Sequence, residues 1–158
     1  MVTGPDTDER RALLHFLAAN RRSALQVVDG LSEADARRSV VPSGWTPFDL
    51  LVHLGGVERH WFLLVLDGDT TDAPASPGEV STLVGAAVSY RAECERSDQI
   101  LTRFALDDPL TVQPEQLVGE VTTVRGVLLH VIEEIARHVG HLDLARELLD
   151  GLTGLGPR

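Results

Sequence analysis

The sequence predicts an all-α protein, and three observations support this fold class. Apolar residues recur at helical rather than alternating spacing along nearly the whole chain. The intervals between these segments are filled with Pro, Gly, Ser, Thr and Asp, which end helices and form loops. The chain has 158 residues, 43% hydrophobic and 24% charged, and this size and composition indicate a single domain over residues 1–158 with one core.

The first helix is expected to begin near Asp6 and to end at Asp29-Gly30. Asp6 can cap the first turn while Glu9 reaches back to it. The apolar stripe of this helix consists of Leu13, Leu14, Leu17, Ala24, Leu25 and Val28. A short turn of helix is expected to follow at Ser32 and Asp35.

The second helix has the clearest start in the sequence. Thr46 is a suitable N-cap, Pro47 suits the first helical position, and Asp49 faces the positive end of the helix. The helix should run to about Leu66, with an apolar stripe formed by Leu50, Leu54, Val57, Trp61 and Leu64. Gly55-Gly56 in its middle disfavours helix formation, which suggests that another group approaches the backbone there.

The third and fourth helices are separated by a long connection. The third should restart at Ser76 to Glu79 and extend to about Ala105, and its predicted stripe is Val80, Leu83, Val84, Ala87, Tyr90, Cys94, Leu101 and Phe104. Residues 106–119 show no clear period and are expected to form a crossover. The fourth should run from near Thr122 to Asp150-Gly151. Four long helices joined by long connections predict a four-helix bundle, an architecture that holds metal and cofactor sites in its core.

Composition excludes several classes of function. The chain has 14 Lys and Arg against 24 Asp and Glu, a net charge of −10, so nucleic acid is not an expected partner. A single cysteine, Cys94, cannot form an internal disulfide. The polar N-terminus lacks the pattern of a signal peptide, and the longest apolar run, Trp61 to Leu66, is too short to span a membrane. We therefore expect a cytoplasmic protein without a membrane anchor.

The last helix carries the residues most suggestive of chemistry. His130, Glu134, His138 and His141 fall within an arc of about 80° at 3.6 residues per turn, on the face that also bears the apolar stripe Val127, Val131, Ile135, Leu142, Ala145 and Leu148. A carboxylate on such a face needs a cation, a metal ion or a hydrogen-bond network. Arg137 or Arg125 could supply the cation.

Glu134 and His138 are four residues apart, a spacing at which two side chains on successive turns can hold one ion. His53 flanks the stripe of the second helix and could be a third ligand, while His60 lies on nearly the same side. Three nitrogen or oxygen ligands leave an open position on a divalent metal, as in catalytic sites. A lone inward histidine is, however, more often a hydrogen-bonded core residue, so a structural role for the cluster remains an alternative.

Three parts of the sequence together resemble a known superfamily. These are Trp45-Thr46-Pro47 leading into Leu51 to Leu54, then Val57 to Phe62, and finally Glu133 to Arg146. Over about residues 8–151 the chain resembles the DinB-like superfamily, and within it the actinobacterial branch of mycothiol-dependent S-transferases. The resemblance implies an up-down-down-up four-helix bundle, commonly dimeric, that binds a divalent metal, often zinc or nickel, through three side chains.

The superfamily's three ligand positions fall on His53, Glu134 and His138. Many members have His where this chain has Glu134, although the ligand set of mycothiol-dependent maleylpyruvate isomerases resembles His, Glu, His. This set suits zinc and also Fe²⁺ and other first-row ions. Where relatives often have Gln the chain has His141, which could be an outer-shell group, an acid/base or a fourth ligand.

The resemblance implies that the metal stabilises the thiolate of mycothiol or a similar small thiol for attack on an electrophile. His141 and His60 are the candidate proton carriers, since imidazole titrates near neutral pH. The small thiol and the electrophile would then be the partners of a homodimeric enzyme. Two alternatives stay open: a non-catalytic dimeric stress or ligand-binding bundle, and a metal-dependent hydrolase or isomerase.

Overall fold

The computed structural model describes residues 5–70, 80–114, 117 and 119–154. The helices of this part of the chain are α1 (Pro5–Val28), α2 (Glu33–Ala36), α3 (Pro47–Glu58), α4 (Leu83–Leu101) and α5 (Val124–Asp150). α3 continues without a break into a π-helical segment, Arg59–Asp67. The only extended pairing among the described residues is an isolated bridge between Pro109 and Thr123. The all-α prediction is confirmed.

Side-chain contacts fix the relative directions of α1 and α5. Arg125 near the start of α5 pairs with Glu9 near the start of α1, with Nε 2.8 Å from Oε1. Arg146 near the end of α5 donates to the carbonyl oxygen of Val27 at the end of α1, at 2.7 Å. The two helices therefore run parallel.

α3 and its π-helical extension run antiparallel to α5. His53 near the start of α3 contacts His138, whereas Trp61 contacts His130, two turns earlier on α5.

The π-helical segment runs parallel to α4, because Arg59 pairs with Glu93 and Asp67 pairs with Arg103 further along both elements. The four long elements are therefore arranged up, down, down and up, as the resemblance implied. This order places α3 and α5 side by side in opposite directions, which allows His53 to meet the middle of α5.

Threonine caps define three helix starts. Thr46 accepts from the backbone N–H of Asp49 at 3.1 Å, as predicted. Thr82 and Thr123 cap α4 and α5 in the same way, so α5 begins at Val124, two residues beyond the predicted Thr122. The predicted start of the third helix at Ser76 to Glu79 lies outside the described residues.

Both ends of α4 differ from the prediction. Residues 80–82 are not helical, and α4 begins at Leu83 because Thr82, with an extended backbone, caps it there. It ends at Leu101 rather than near Ala105, and Arg10 donates to the carbonyl oxygens of Leu101 and Phe104 at this end. A guanidinium that donates hydrogen bonds to these carbonyl oxygens stabilises a helix end at Leu101.

The predicted core stripes are wrong at two positions. Val84 is 73% exposed and Leu148 is 57% exposed. The buried side of α4 instead follows Leu83, Ala86, Tyr90, Glu93, Ser97 and Ile100, and that of α5 passes through Leu142, Ala145 and Arg146. Polar residues occupy several of these core positions, so a stripe drawn only through apolar residues is rotated away from the true interface.

The glycine pair in α3 does not mark a close approach by another described part of the chain. A Cβ atom at Gly55 or Gly56 would meet no atom of the described residues within 4 Å, so no protein group among them accounts for the pair. The helix also departs from the predicted α-helix over its last nine residues, which are π-helical and end at Gly68 with φ 73°. Across the described parts of the chain, no helix is both long enough and apolar enough to cross a membrane.

Candidate metal centre

His53, Glu134 and His138 converge between α3 and α5. Glu134 Oε1 lies 3.0 Å from His138 Nε2 and 3.6 Å from His53 Nε2. One ligand atom from each residue lies within 4.8 Å of the other two. Two atoms bound tetrahedrally to one ion at about 2.0–2.1 Å are roughly 3.3–3.4 Å apart. The three side chains that the sequence analysis proposed as ligands are thus brought together at a spacing that suits one ion.

Two nitrogen atoms in this cluster lack a partner. His53 Nε2 and His138 Nδ1 are buried and have no hydrogen-bond partner among the described residues. Buried polar atoms are rarely left unsatisfied in proteins unless they have a functional role. His53 Nε2 lies 3.6 Å from Glu134 Oε1, beyond hydrogen-bonding distance. A cation between these two atoms would give His53 Nε2 a partner. The residues present therefore fit a divalent metal ion, although metal binding by them stays a prediction.

The charges in the cluster favour the protonation states that metal binding needs. Burial opposes ionisation of Glu134, but the hydrogen bond with His138 and the charge of Arg137 outweigh it and lower the pKa of this carboxyl. Burial lowers the pKa of His138, although Glu134 partly offsets this. A carboxylate beside a neutral imidazole is therefore favoured at neutral pH, and these are the forms that bind metals.

The second carboxylate oxygen of Glu134 has a partner of its own. Arg137 Nη2 donates to Glu134 Oε2 at 2.6 Å, while Oε1 faces the two histidines. Arg137 is thus the cation that the sequence analysis considered for Glu134. Arg125, the other candidate, instead pairs with Glu9 and Asp107 at the start of the bundle.

A cavity of about 770 Å³ opens beside the cluster. Its lining residues come from α3, the π-helical segment, the connection before α5, and α5 itself: His53, Gly56, Val57, His60, Trp61, Pro114, Leu117, His130, Glu134 and Arg137. The volume is within the range of small-molecule sites in proteins. A ligand in this cavity would therefore contact two of the three candidate metal ligands.

The two predicted proton carriers differ in position. His60 lies on the π-helical segment and lines the cavity, and its pKa is lowered by burial and by its electrostatic interaction with His130. His141 is exposed, its ring centroid is 5.8 Å from that of His138, and it is outside the cavity lining formed by the described residues. The sequence analysis placed His130 on this face without giving it a role, yet it lines the cavity and packs against Trp61.

A second ionic cluster, buried between α1 and the end of α3, was not predicted. Arg21 on α1 forms two hydrogen bonds to the fully buried Glu58, at 2.7 and 2.6 Å, and a third to Asp98 at 2.7 Å. The signal was present in the sequence, because Arg21 lies between Leu17 and Ala24 on the stripe of α1. Burial and the charge of Glu58 also raise the pKa of the nearby Cys94 thiol to about 12.

These features define an up-down-down-up helical bundle with a two-histidine, one-carboxylate cluster beside a cavity. The family model described as Mycothiol-S-transferase matches residues 12–151. The chain therefore belongs to the mycothiol S-transferase family, which confirms the resemblance seen in the sequence. Comparisons with curated proteins and with solved structures find no match.

Proposed function

We propose that the protein is a divalent-metal-dependent transferase that joins a low-molecular-weight thiol, such as mycothiol, to an electrophile. The observation that carries this proposal is the convergence of His53, Glu134 and His138 beside a cavity. Membership of the mycothiol S-transferase family supports the thiol as the cosubstrate.

His53, Glu134 and His138 would hold the cation and leave one coordination position open to a ligand. Two imidazoles and a carboxylate suit zinc, and nickel or iron would also be accepted. When bound, such a cation supplies a Lewis acid that stabilises the thiolate form of a coordinated thiol at neutral pH. The chain's own residues would orient the electrophile, since the apolar side chains of Val57 and Trp61 line the cavity beside the ligands.

The nucleophile is expected to come from the cosubstrate rather than from the protein. Cys94 packs against the core, and burial raises the pKa of its thiol to about 12. Nucleophilic cysteines instead have a low pKa and an accessible sulfur. Of the two proton carriers, His141 beside His138 would take the proton of the thiol, and His60 on the cavity wall would deliver a proton to the electrophile. The family resemblance also favours a cytoplasmic homodimer, whose assembly size-exclusion chromatography would test.

Elemental analysis of the purified protein is the first test. We expect one equivalent of a divalent metal in the unaltered chain and its loss in His53→Ala, Glu134→Gln and His138→Ala. His15→Ala is the control, because His15 is exposed on α1 and packs against Phe16 rather than lining the cavity. All variants should keep the helical circular dichroism of the unaltered chain.

The second test is conjugation of a chloromethyl bimane in the presence and absence of mycothiol. Turnover that requires both the thiol and the metal supports the proposal. Tight metal binding without thiol-dependent turnover would instead favour a hydrolase, an isomerase or a binding protein. Absence of bound metal would favour a non-catalytic bundle.

A further inference from the structure

Two imidazoles in the cavity wall are not explained by metal binding. His60 on the π-helical segment and His130 on α5 both line the cavity. Their ring centroids lie 5.3 Å and 4.5 Å from that of Trp61. The indole, only 6% exposed, therefore forms a common support for two imidazoles from different elements.

The ring nitrogens of His60 and His130 are available to a ligand. Neither ring forms a hydrogen bond or an ion pair with another residue in the described part of the chain. His53 and His138, by contrast, face Glu134. An imidazole can donate one hydrogen bond when neutral and two when protonated. Donors without a protein partner in a cavity wall are suited to an acceptor on the bound molecule.

The scaffold holds this wall in place. The Arg59 guanidinium, at the start of the π-helical segment, contacts a Glu93 carboxylate oxygen at 2.5 Å, and Glu58 just before it is held by Arg21. These ion pairs hold the start of the segment that carries His60, and the rings of His60 and His130 pack on Trp61. Their nitrogens are left free for chemistry, as expected of a prepared site.

We propose that His60 and His130 donate a proton to an oxygen atom that becomes negatively charged on the electrophile. The substrates would then be electrophiles in which negative charge develops on an oxygen atom during the attack, namely epoxides and α,β-unsaturated carbonyl compounds. This inference rests on the proposed transferase function, because it assigns the electrophile that the thiol attacks.

The reaction balances without an oxidant or a reductant. With an epoxide, the thiolate sulfur forms a bond to carbon, the carbon–oxygen bond breaks, and its electron pair remains on oxygen. An imidazolium N–H then supplies the proton that completes the hydroxyl group. With an unsaturated carbonyl, sulfur bonds to the β carbon, the π electrons move toward the carbonyl oxygen, and a proton neutralises the enolate. The proton lost by the thiol returns the imidazole to its starting state through solvent.

Displacement of chloride provides the contrast. The carbon–chlorine bond breaks with its electron pair on chloride, which leaves as a stable anion and needs no proton. A proton donor in the wall would therefore accelerate epoxide and enone reactions and leave chloride displacement unaffected. General acid catalysis contributes about 10²–10⁴-fold in enzymes.

The rest of the lining is consistent with this role. Val57, Pro114 and Leu117 offer apolar surface to a carbon skeleton. The other titratable or charged groups in the lining are His53, Glu134 and Arg137, which are grouped around Glu134. No carboxylate in the described lining other than Glu134 competes for the protons of His60 and His130.

The test compares three electrophiles with mycothiol: styrene oxide, cyclohexenone and a chloromethyl bimane. The variants are His60→Gln, His130→Gln and the double variant, with His15→Gln as the control. We expect the double variant to lose about 100-fold in kcat/KM with the epoxide and the enone, to stay within about twofold with the chloride, and to keep one equivalent of metal. Its pH profile with the epoxide should lack the limb that falls as pH rises in the unaltered protein.

Equal losses with all three electrophiles would overturn the inference, since they would indicate a role in cavity shape alone. Unchanged rates with the epoxide and the enone would overturn it as well. Failure of the proposed function is distinguishable, because the unaltered protein would then show no thiol-dependent turnover with any of the three, and the assignment to His60 and His130 would fall with it.

Discussion

The two oxygens of the Glu134 carboxylate have different partners, and this division suggests a role for Arg137. Oε2 accepts from Arg137, while Oε1 faces His138 and His53. An arginine that holds one oxygen fixes the side chain and directs the other oxygen toward the proposed ion. Partners of this kind commonly contribute 10–100-fold to metal affinity.

We therefore expect Arg137→Met to weaken metal binding by about tenfold, at the lower end of that range, because the Arg137 side chain is 60% exposed. Competition with a chromophoric chelator would measure the dissociation constant. Arg125→Met is the matched control, since it removes an arginine from the same helix and breaks ion pairs outside the cluster. Equal affinities in the two variants would contradict a role for Arg137.

Cys94 should react slowly with thiol reagents in the folded protein. Burial raises the pKa of its thiol from 9.0 to about 12, so almost no thiolate is present at pH 8. We expect labelling by a disulfide reagent to be slow at that pH and to become fast in denaturant. Fast labelling of the native protein would contradict the burial of this thiol.

The same shift predicts a dependence of stability on pH. The folded state holds the Cys94 proton more tightly than the unfolded state does. The contribution of this group is fully present below about pH 9 and is lost as pH rises toward about 12. Denaturant unfolding over this pH interval would measure the free energy of unfolding of the unaltered chain and of Cys94→Ala. The difference between the two free energies should narrow as the pH rises.

The candidate ligands could be predicted from the sequence, whereas their surroundings could not. Glu134 and His138 are one helical turn apart, and His53 lies beside an apolar stripe, so helix geometry and burial were sufficient to propose them. The hydrogen bond from Arg137 and the packing of His130 on Trp61 depend on side-chain directions and on the approach of two helices. These details have no signature in residue spacing.

A buried ion pair lies at the start of the π-helical segment. Glu58 has no exposed surface and accepts two hydrogen bonds from Arg21. Removing one partner of a buried pair leaves the other charge uncompensated and costs about 3–5 kcal/mol.

We expect Glu58→Leu to lower the free energy of unfolding by about 3 kcal/mol, since Asp98 continues to accept from Arg21. The double variant Arg21→Met/Glu58→Leu should recover much of this loss. Arg11→Met, which removes an exposed pair with Asp8, should change stability by less than about 1 kcal/mol. Urea unfolding followed by circular dichroism tests all three variants. An unchanged free energy of unfolding in Glu58→Leu would contradict the prediction.

Glycines in and after α3 should respond to alanine in opposite directions. Gly55 is helical and has open space around it, so Gly55→Ala should raise the free energy of unfolding by roughly 0.5–1 kcal/mol. Gly68 has φ 73°, and a Cβ there would lie 2.7 Å from Thr111 Cγ2. Gly68→Ala should therefore lower stability by at least about 1 kcal/mol. Thermal unfolding compares the two variants, and a shift in the same direction for both would contradict the prediction.

Helix starts were predictable where one cap had no competitor. Thr46, Pro47 and Asp49 together specify the start of α3. Before α4 the sequence analysis chose a start at Ser76 to Glu79, whereas Thr82 caps the helix, and local chemistry alone does not rank the two starts. The π-helical segment was not predictable either, because its shifted hydrogen bonds need no particular residue and it packs against α4 and α5, which are distant in sequence.

Metal binding would join two helices that are distant in sequence. His53 belongs to α3 and the other two candidate ligands belong to α5. Because the ligand set exists only in the folded state, binding should stabilise the whole bundle.

We expect zinc at about 100 times its dissociation constant to add about 2.7 kcal/mol to the free energy of unfolding. For a chain of this size that corresponds to a rise in Tm of about 5–10 °C. Differential scanning calorimetry with and without zinc would measure the shift. Glu134→Gln should abolish it, whereas His15→Ala should not. An equal rise in Glu134→Gln would place the stabilising ion elsewhere.

The arrangement of the helices was predicted through family resemblance rather than from periodicity. Periodicity gave four long helices, but it does not specify their relative directions. Those directions follow from pairs such as Glu9 with Arg125 and Asp67 with Arg103, and each pair joins residues that are far apart along the chain. The sequence alone does not show which of its many charged residues meet.

The partial burial of Cys94 has a consequence for a cell under oxidative stress. A transferase that uses a small thiol, as proposed for this protein, would also encounter the symmetrical disulfide of that thiol when oxidants accumulate. Exchange with such a disulfide requires a thiolate on the protein, and the only cysteine of this chain holds its proton up to about pH 12. The protein should therefore form no mixed disulfide during an oxidative episode, and its recovery should not depend on a reductase.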